Sequence, residues 1–210
     1  MSSRIRVLLA TSNAGKLREY GELAKGSQLE IEPIPNFDQI PQFEESAPTF
    51  AENSAGKALH YSSFTDQIIL ADDSGLSVAA LGGAPGVLSA RYAGPNATDM
   101  DRIKKLLHQM EDVEEGARSA RFICVTSIAA RGRAMVVASD FVAGVITREA
   151  RGRGGFGYDP VFIADGLDHT FAEASQKEKN SLSHRGKAFR RVLALISGLG
   201  FGSESTSFSV

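Results

Sequence analysis

Residues 68–78 read IILADDSGLSV, an apolar run that meets two adjacent carboxylates and then a small-residue turn. Ile68, Ile69, Leu70 and Ala71 have the pattern of a short buried strand. Asp72 and Asp73 therefore stand at its end, on the rim of a core, where unpaired charge is costly. The placement predicts cationic side chains converging on them from elsewhere in the chain.

Upstream, RIRVLLA at 4–10 predicts a first strand. TSNAGK at 11–16 turns it into a helix with Leu17, Tyr20, Leu23 and Ala24 on one face. Between Glu30 and Pro48, Pro33, Pro35, Pro41 and Pro48 predict an extended connection that still packs Phe37, Ile40 and Phe43. A second helix begins at Thr49, with Glu52 placed for a capping box and Asn53 and Lys57 four apart on one face.

Downstream, LGGAPGVLSARYAG at 81–94 predicts an irregular loop with a defined path. Thr98 and Asp101 open a helix whose apolar face is Met100, Ile103, Leu106, Leu107 and Met110. Arg121–Ala130 and Ala134–Ile146 read as strands joined across RGR. Ala188, Val192, Leu195, Ile196 and Leu199 mark a last helix. The expected architecture is α/β, with a mixed β-sheet flanked by helices and split into two lobes by a cleft, over residues 1–199. Residues 200–210 form a Ser-rich tail expected to be disordered.

With 210 residues, of which 42% are hydrophobic, the chain can build one sizeable core or two lobes on a shared sheet. Lys and Arg total 23 against 25 acidic residues, a balance that argues against a protein built to grip a nucleic-acid backbone. Cys124 is alone, so it forms no internal disulfide, and a reducing cytoplasm suits it. No stretch is long and apolar enough for a bilayer span, so no membrane role is expected.

Four segments carry chemistry. TSNAGK sets backbone N–H groups, a hydroxyl and Lys16 at a helix start, which suits a phosphate, although an ordinary strand-to-helix turn with Thr11 or Asn13 as cap and Lys16 solvated is the commoner outcome for so short a motif; it is not a P-loop, because Ala10 and Leu17 occupy positions that motif needs as Gly and Ser or Thr. Glu44, Glu45, Asp72 and Asp73 offer hard oxygen ligands for Mg2+, although a solvated acidic loop is the commoner outcome for a pair such as Glu44–Glu45, and no His/Cys cluster suggests zinc. In GRGGFGYDP at 152–160, Phe156 can stack on a planar base, and Asp159 can accept from a ring N–H or order the loop; simple burial of Phe156 and Tyr158 competes evenly. Lys179, His184 and Arg185, in KNSLSHRGKA at the head of the last helix, favour an anion, although a solvated basic face is the commoner outcome for such a run.

TSNAGK, FAENSAGKA, ADDSGLSV, GGAPGVLSARYAG, GGFGYDP and KNSLSHRGKA, taken in this order, resemble the inosine triphosphate pyrophosphatase (Ham1) family over nearly the whole chain. The resemblance implies a homodimer, Mg2+ as cofactor, and hydrolysis of ITP, dITP or XTP to the monophosphate and pyrophosphate, which cleanses the nucleotide pool. By position, Thr11, Ser12, Asn13, Ala14, Gly15 and Lys16 would hold the triphosphate, with Lys57 and Lys179 adding charge and Ser74 following the acid. Asp73 matches the catalytic acid and metal ligand, and Glu44 or Glu45 the second metal-binding carboxylate. Phe156, Gly157, Tyr158 and Asp159 would line the base pocket, completed by His184 and Arg185. The chain departs from the family's TGN by carrying Ser12.

Overall fold

The computed structural model describes residues 4–198, and its spine is a strand, β3, that runs from Ile68 to Val78 without stopping at the carboxylates. The expected turn at Asp72–Asp73 is therefore corrected: both sit in mid-strand. The reason lies in β4 (Ser119–Ala130), whose Thr126 to Arg121 pair antiparallel with Asp72 to Ser77 and satisfy the backbone. Gly75 fits because a side chain there would meet Ser89 Oγ and the Gly86 carbonyl.

β1 (Ile5–Leu9) lies parallel to β3 on its other side, and β5 (Arg133–Ile146) and β6 (Phe162–Ala164) extend the sheet antiparallel beyond β4. The Pro-rich connection holds a strand that its composition hid: β2 (Leu29–Pro33) pairs parallel with β1 at the sheet edge. Its one proline is the last residue, where a missing N–H costs little. The order is β2-β1-β3-β4-β5-β6, a mixed sheet. Between β4 and β5 the turn is Arg131–Gly132, both at positive φ (50° and 72°), the twist-matched two-residue type; Arg133 already belongs to β5.

Helix α1 (Ala14–Ala24) is capped by Asn13, whose side chain accepts from Gly15 and Lys16 N–H. Helix α2 (Phe50–Ser62) is capped by Thr49 through Glu52 N–H, but the Glu52 carboxylate takes the Thr49 hydroxyl, so the expected reciprocal box is half made. Helix α3 (Asp99–Gln109) has the full Thr98–Asp101 box. KNSLSHRGKA is two helices, α4 (Gln176–Leu182) and α5 (His184–Gly198), so Lys179 does not share a helix start with His184 and Arg185. Met100 and Leu195, expected on buried faces, are 47% exposed. Leu199 and the proposed tail lie outside the described residues.

Three apolar clusters hold these layers. One sandwiches β1 and β3 residues such as Leu70 against Tyr20 of α1 and Phe189 and Val192 of α5. A second packs Ile69 and Ala71, on the opposite face of β3, against Ala58 and Tyr61 of α2. The third gathers α3, Phe122 and Phe162 around Tyr158. Polar side chains fill the cleft between the third cluster and the other two.

Candidate active site

Alternation along β3 sends the adjacent carboxylates to opposite faces. Asp72 is fully buried on the α1/α5 side, with Lys16 Nζ 3.1 Å from Oδ1 and Arg185 Nη2 3.2 Å from Oδ2. Burial would raise its carboxyl, but the Lys16, Arg185 and Lys57 charges outweigh it and hold the group well below the usual carboxylate range. The predicted cations are thus present. Cys124 sits beneath with Sγ 3.7 Å from Asp72 Oδ2, and its own thiol is pushed up to about 12 by burial, so it behaves as an inert small hydrophobe.

Asp73 faces α2 and the cleft. Asn53 Nδ2 donates to its Oδ2 at 3.1 Å, and the Ser74 N–H donates to Oδ1 at 2.9 Å. Burial first, and the nearby Glu45 second, push its carboxyl up to about 6. Glu45 is ion-paired with Lys57, a lysine only 7% exposed. The loop that carries Glu45 is fastened by Asn53, whose amide exchanges hydrogen bonds with the Ala47 backbone, and by Arg91, which donates to the Glu45 carbonyl at 2.8 Å.

A second ionic cluster joins α1 to α4 and α5. Lys179 pairs with Glu19 at 2.6 Å and also with Asp159; Arg185 pairs with Glu19 and donates to Ser74 Oγ at 2.8 Å. Glu19, Lys179 and Arg185 are each 2% exposed, so these are interior charges rather than a solvated basic face. Burial raises Glu19, but Arg185 and Lys179 overcome it and keep the group lowered, whereas Asp159, fully buried with Lys179 as its cation, is raised. Burial, with Arg185 and Lys179 adjacent, drives His184 well below its ordinary range, leaving a neutral imidazole stacked on Phe122 at 4.8 Å and 9°. The Phe156 ring lies over Gly15, where a Cβ would come within 2.5 Å of it, and 5.0 Å from Lys179 Nζ.

Thr11, Ser12, Asn13, Lys16, Lys57, Asp73, Ser74, Phe156, Gly157, Tyr158, Asp159, Lys179, His184 and Arg185 all line one cleft, with Glu45. Glu44 is exposed and outside that lining, Ala14 is exposed beside it, and Gly15 is covered by Phe156. Asp159 is the loop-ordering group, accepting the Phe156 N–H at 2.8 Å. The glycine-rich loop is laced down by Gly154 N–H to Ala172 O (2.9 Å) and Thr170 Oγ1 to Arg151 O (2.9 Å). Sequence reasoning missed Glu19, Asp99 and Arg102; Asn53 was signalled only by its spacing from Lys57. The arrangement brings a carboxylate pair, lysines, an aromatic ring and a neutral imidazole to the wall of one cleft, a combination fitted to a phosphorylated base.

The Ham1 family model matches residues 7–195. A dITP/XTP pyrophosphatase of Bacillus licheniformis is 45% identical over 190 residues, covering 90% of this chain and 97% of that protein. One from Desulforamulus reducens is 44% identical over 195 residues, covering 93% and 97%. Among solved structures, a HAM1 protein from Coxiella burnetii superposes with a TM-score of 0.82 at 40% identity, covering 92% of this chain and 99% of that one. The Staphylococcus aureus Ham1 protein gives 0.80 at 34%, with the same coverage. Ordered motifs, sheet topology and both kinds of similarity agree that this chain belongs to the Ham1 family.

Proposed function

We propose that this chain is a Mg2+-dependent pyrophosphatase that hydrolyses ITP, dITP and XTP to the monophosphate and pyrophosphate, and so removes non-canonical purines from the nucleotide pool. The observation that carries the reading is a single cleft lined by Asp73, Glu45, Lys16 and Lys57 together with Phe156 and His184. The dITP/XTP pyrophosphatase names of relatives at 44–45% identity supply the substrate class.

A carboxylate pushed up to about 6 is ionised at neutral pH yet more basic than an ordinary aspartate, the poise a general base needs. Asp73 takes a proton from water as the water oxygen bonds to the α-phosphorus. The bond from that phosphorus to the α–β bridging oxygen breaks, and pyrophosphate leaves with the electron pair. Lys16, Lys57 and Lys179 offset the charge that builds on the departing oxygens. Asp73 and Glu45 fit Mg2+: they are hard oxygen donors at the cleft wall, and two carboxylates plus substrate phosphates are an ordinary set for this ion. When bound, Mg2+ supplies Lewis-acid charge neutralisation on the phosphoryl oxygens.

Selectivity for a 6-oxo purine rests on donors aimed at that oxygen. The Phe156 and Gly157 N–H groups are already engaged by Asp159 and Asp99, and four of the five Arg185 donors by Asp72, Glu19 and Ser74. One Arg185 N–H and the protonated nitrogen of the neutral His184 are left as donors for the base, and adenine's amino group would meet the Arg185 donor unpaired. Each such mismatch costs about 1–3 kcal/mol. Homodimer formation is part of the proposal, supported by Val137, Phe141 and Val145, exposed along one face of β5, as is a cytoplasmic location. No described helix is long and apolar enough to cross a membrane. The test is a panel of nucleoside triphosphates with pyrophosphate detection, with and without Mg2+. ITP, dITP and XTP should be turned over alike and ATP and GTP poorly; a preference for ATP would overturn the assignment.

A further inference from the structure

We propose that Asp99 and Arg102 are positioning residues that set the base-facing loop, and hence nucleotide affinity, without touching the reacting phosphate; the inference rests on the nucleotide reading above. Two successive amides of that loop are held by two different carboxylates. Phe156 N–H goes to Asp159 Oδ2 at 2.8 Å, and Gly157 N–H goes to Asp99 Oδ2 at 2.7 Å. Gly157 is in the left-handed region at φ +62°, which gives the loop its bend at the residue Asp99 grips.

Asp99 is free for this because α3 is capped by others: Thr98 and Asp101 make the box. The other Asp99 oxygen is taken by Arg102, whose Nη1 also holds Ala97 O at 2.6 Å and Ala90 O at 2.8 Å. One guanidinium therefore fixes the start of α3, the end of segment 86–91 and the carboxylate on Gly157. A parallel tie runs from Tyr158 Oη to Ser89 O at 3.0 Å, and Ser89 Oγ accepts from Leu76 N–H at 2.9 Å, two residues beyond Ser74 on β3. The Phe156 loop is thus registered to the strand that bears Asp73.

As a stabiliser the pair is weak, for the Asp99 side chain is 44% exposed and an i,i+3 surface pair contributes little. Its yield is orientation. Losing the acceptor frees the Gly157 N–H and lets Phe156 swing, so a ligand with a base must itself order the loop, whereas one without a base need not.

The test compares Asp99→Ala, Asp99→Asn and Arg102→Met with the wild type. In Asp99→Ala, KM for ITP should rise by about tenfold, the scale of a charge-assisted hydrogen bond, while kcat falls far less and inhibition by inorganic tripolyphosphate, which has no base, keeps its constant. Asp99→Asn keeps an acceptor oxygen for Gly157 and should recover most of the loss; Arg102→Met should move KM the same way by a smaller factor. An unchanged KM in Asp99→Ala, or tripolyphosphate weakening in parallel with ITP, would overturn the inference. If Asp99→Ala does not fold, Arg102→Met decides by the same criteria. A wild type inert toward ITP would instead remove the function reading, and this inference with it.

Discussion

Asp72 and Asp73 are neighbours in sequence and opposites in chemistry. One points into the α1/α5 side of β3, where Lys16 and Arg185 hold it ionised; the other points toward α2 and the cleft, where burial and Glu45 push it up to about 6. One strand position separates a structural anion from a reactive one, because strand geometry assigns alternate residues to different surroundings. The separation is one of surroundings and not of partners, for the charges of Lys16 and Lys57 act on both acids.

The sharpest way to break this contrast is to neutralise each acid in turn. Asp73→Asn should lower kcat by about a thousandfold or more, since it removes the group proposed as both base and metal ligand. It should also stabilise the protein at pH 8. The folded-state value lies above the unfolded 3.8, so the ionised group costs the fold free energy at high pH, on the order of 2–3 kcal/mol at most, and nothing below pH 3.8. The melting-temperature gain should therefore shrink as pH falls through 6. With Mg2+ bound beside it the Asp73 carboxyl should titrate lower, so the metal-free stability profile, and not wild-type kcat, reports the value near 6.

Asp72→Asn should do the reverse and destabilise by about 3–5 kcal/mol, because Lys16 and Arg185 are left with an uncompensated buried charge. The wild-type pair's contribution is fully present at neutral pH, since its value is depressed, and it outlasts the pH range in which Asp73 protonates. Chemical denaturation of both variants at pH 5 and pH 8 checks the signs. If both variants lose stability equally at pH 8, the two carboxylates are not in the opposed states described.

Glu19→Gln extends the comparison to the next layer. Glu19 lies between Lys179 and Arg185, and Arg185 in turn holds Asp72 and Ser74. Loss of its charge should lower kcat/KM by about ten- to a hundredfold and destabilise by roughly 2 kcal/mol, measured by steady-state kinetics and urea unfolding. An effect confined to stability would place Glu19 with Asp72 as framework only.

What the sequence disclosed follows from what is local. Caps, most helix-face positions and the β4–β5 hairpin are set within a few residues, and Asn13, Thr98 and Gly132 behave as their types require, whereas Arg131 takes a positive φ that its type does not favour. The continuation of β3 through DDSG was hidden, because its cause is pairing with β4 some fifty residues on. β2 was masked by the prolines around it. Glu19 looked like any exposed helix acid, since its partners lie about 160 residues away in α4 and α5. Glu44 and Glu45 are indistinguishable as letters, and only the fastening of their loop by Asn53 and Arg91 turns Glu45 into the cleft.

Gly15→Ala gives the smallest effect and the cleanest control, because it changes shape without changing charge. Alanine suits a helix better than glycine, by about 1 kcal/mol in a helix interior, but its Cβ would lie 2.5–2.8 Å from the Phe156 ring. Cγ itself is among the atoms met, so spinning the ring does not relieve the contact and Phe156 must shift as a whole; the melting temperature should fall by a few degrees. The displaced ring is the face offered to the base, so KM for ITP should rise severalfold while kcat holds. Since neither Asp72 nor Asp73 is touched, the pH dependence of kcat and that of stability should both stay where they are in the wild type. A shifted pH profile in Gly15→Ala would mean that the Phe156 contact helps set the charge state of the carboxylate across the cleft, and the division of β3 into a framework face and a reactive face would then be incomplete.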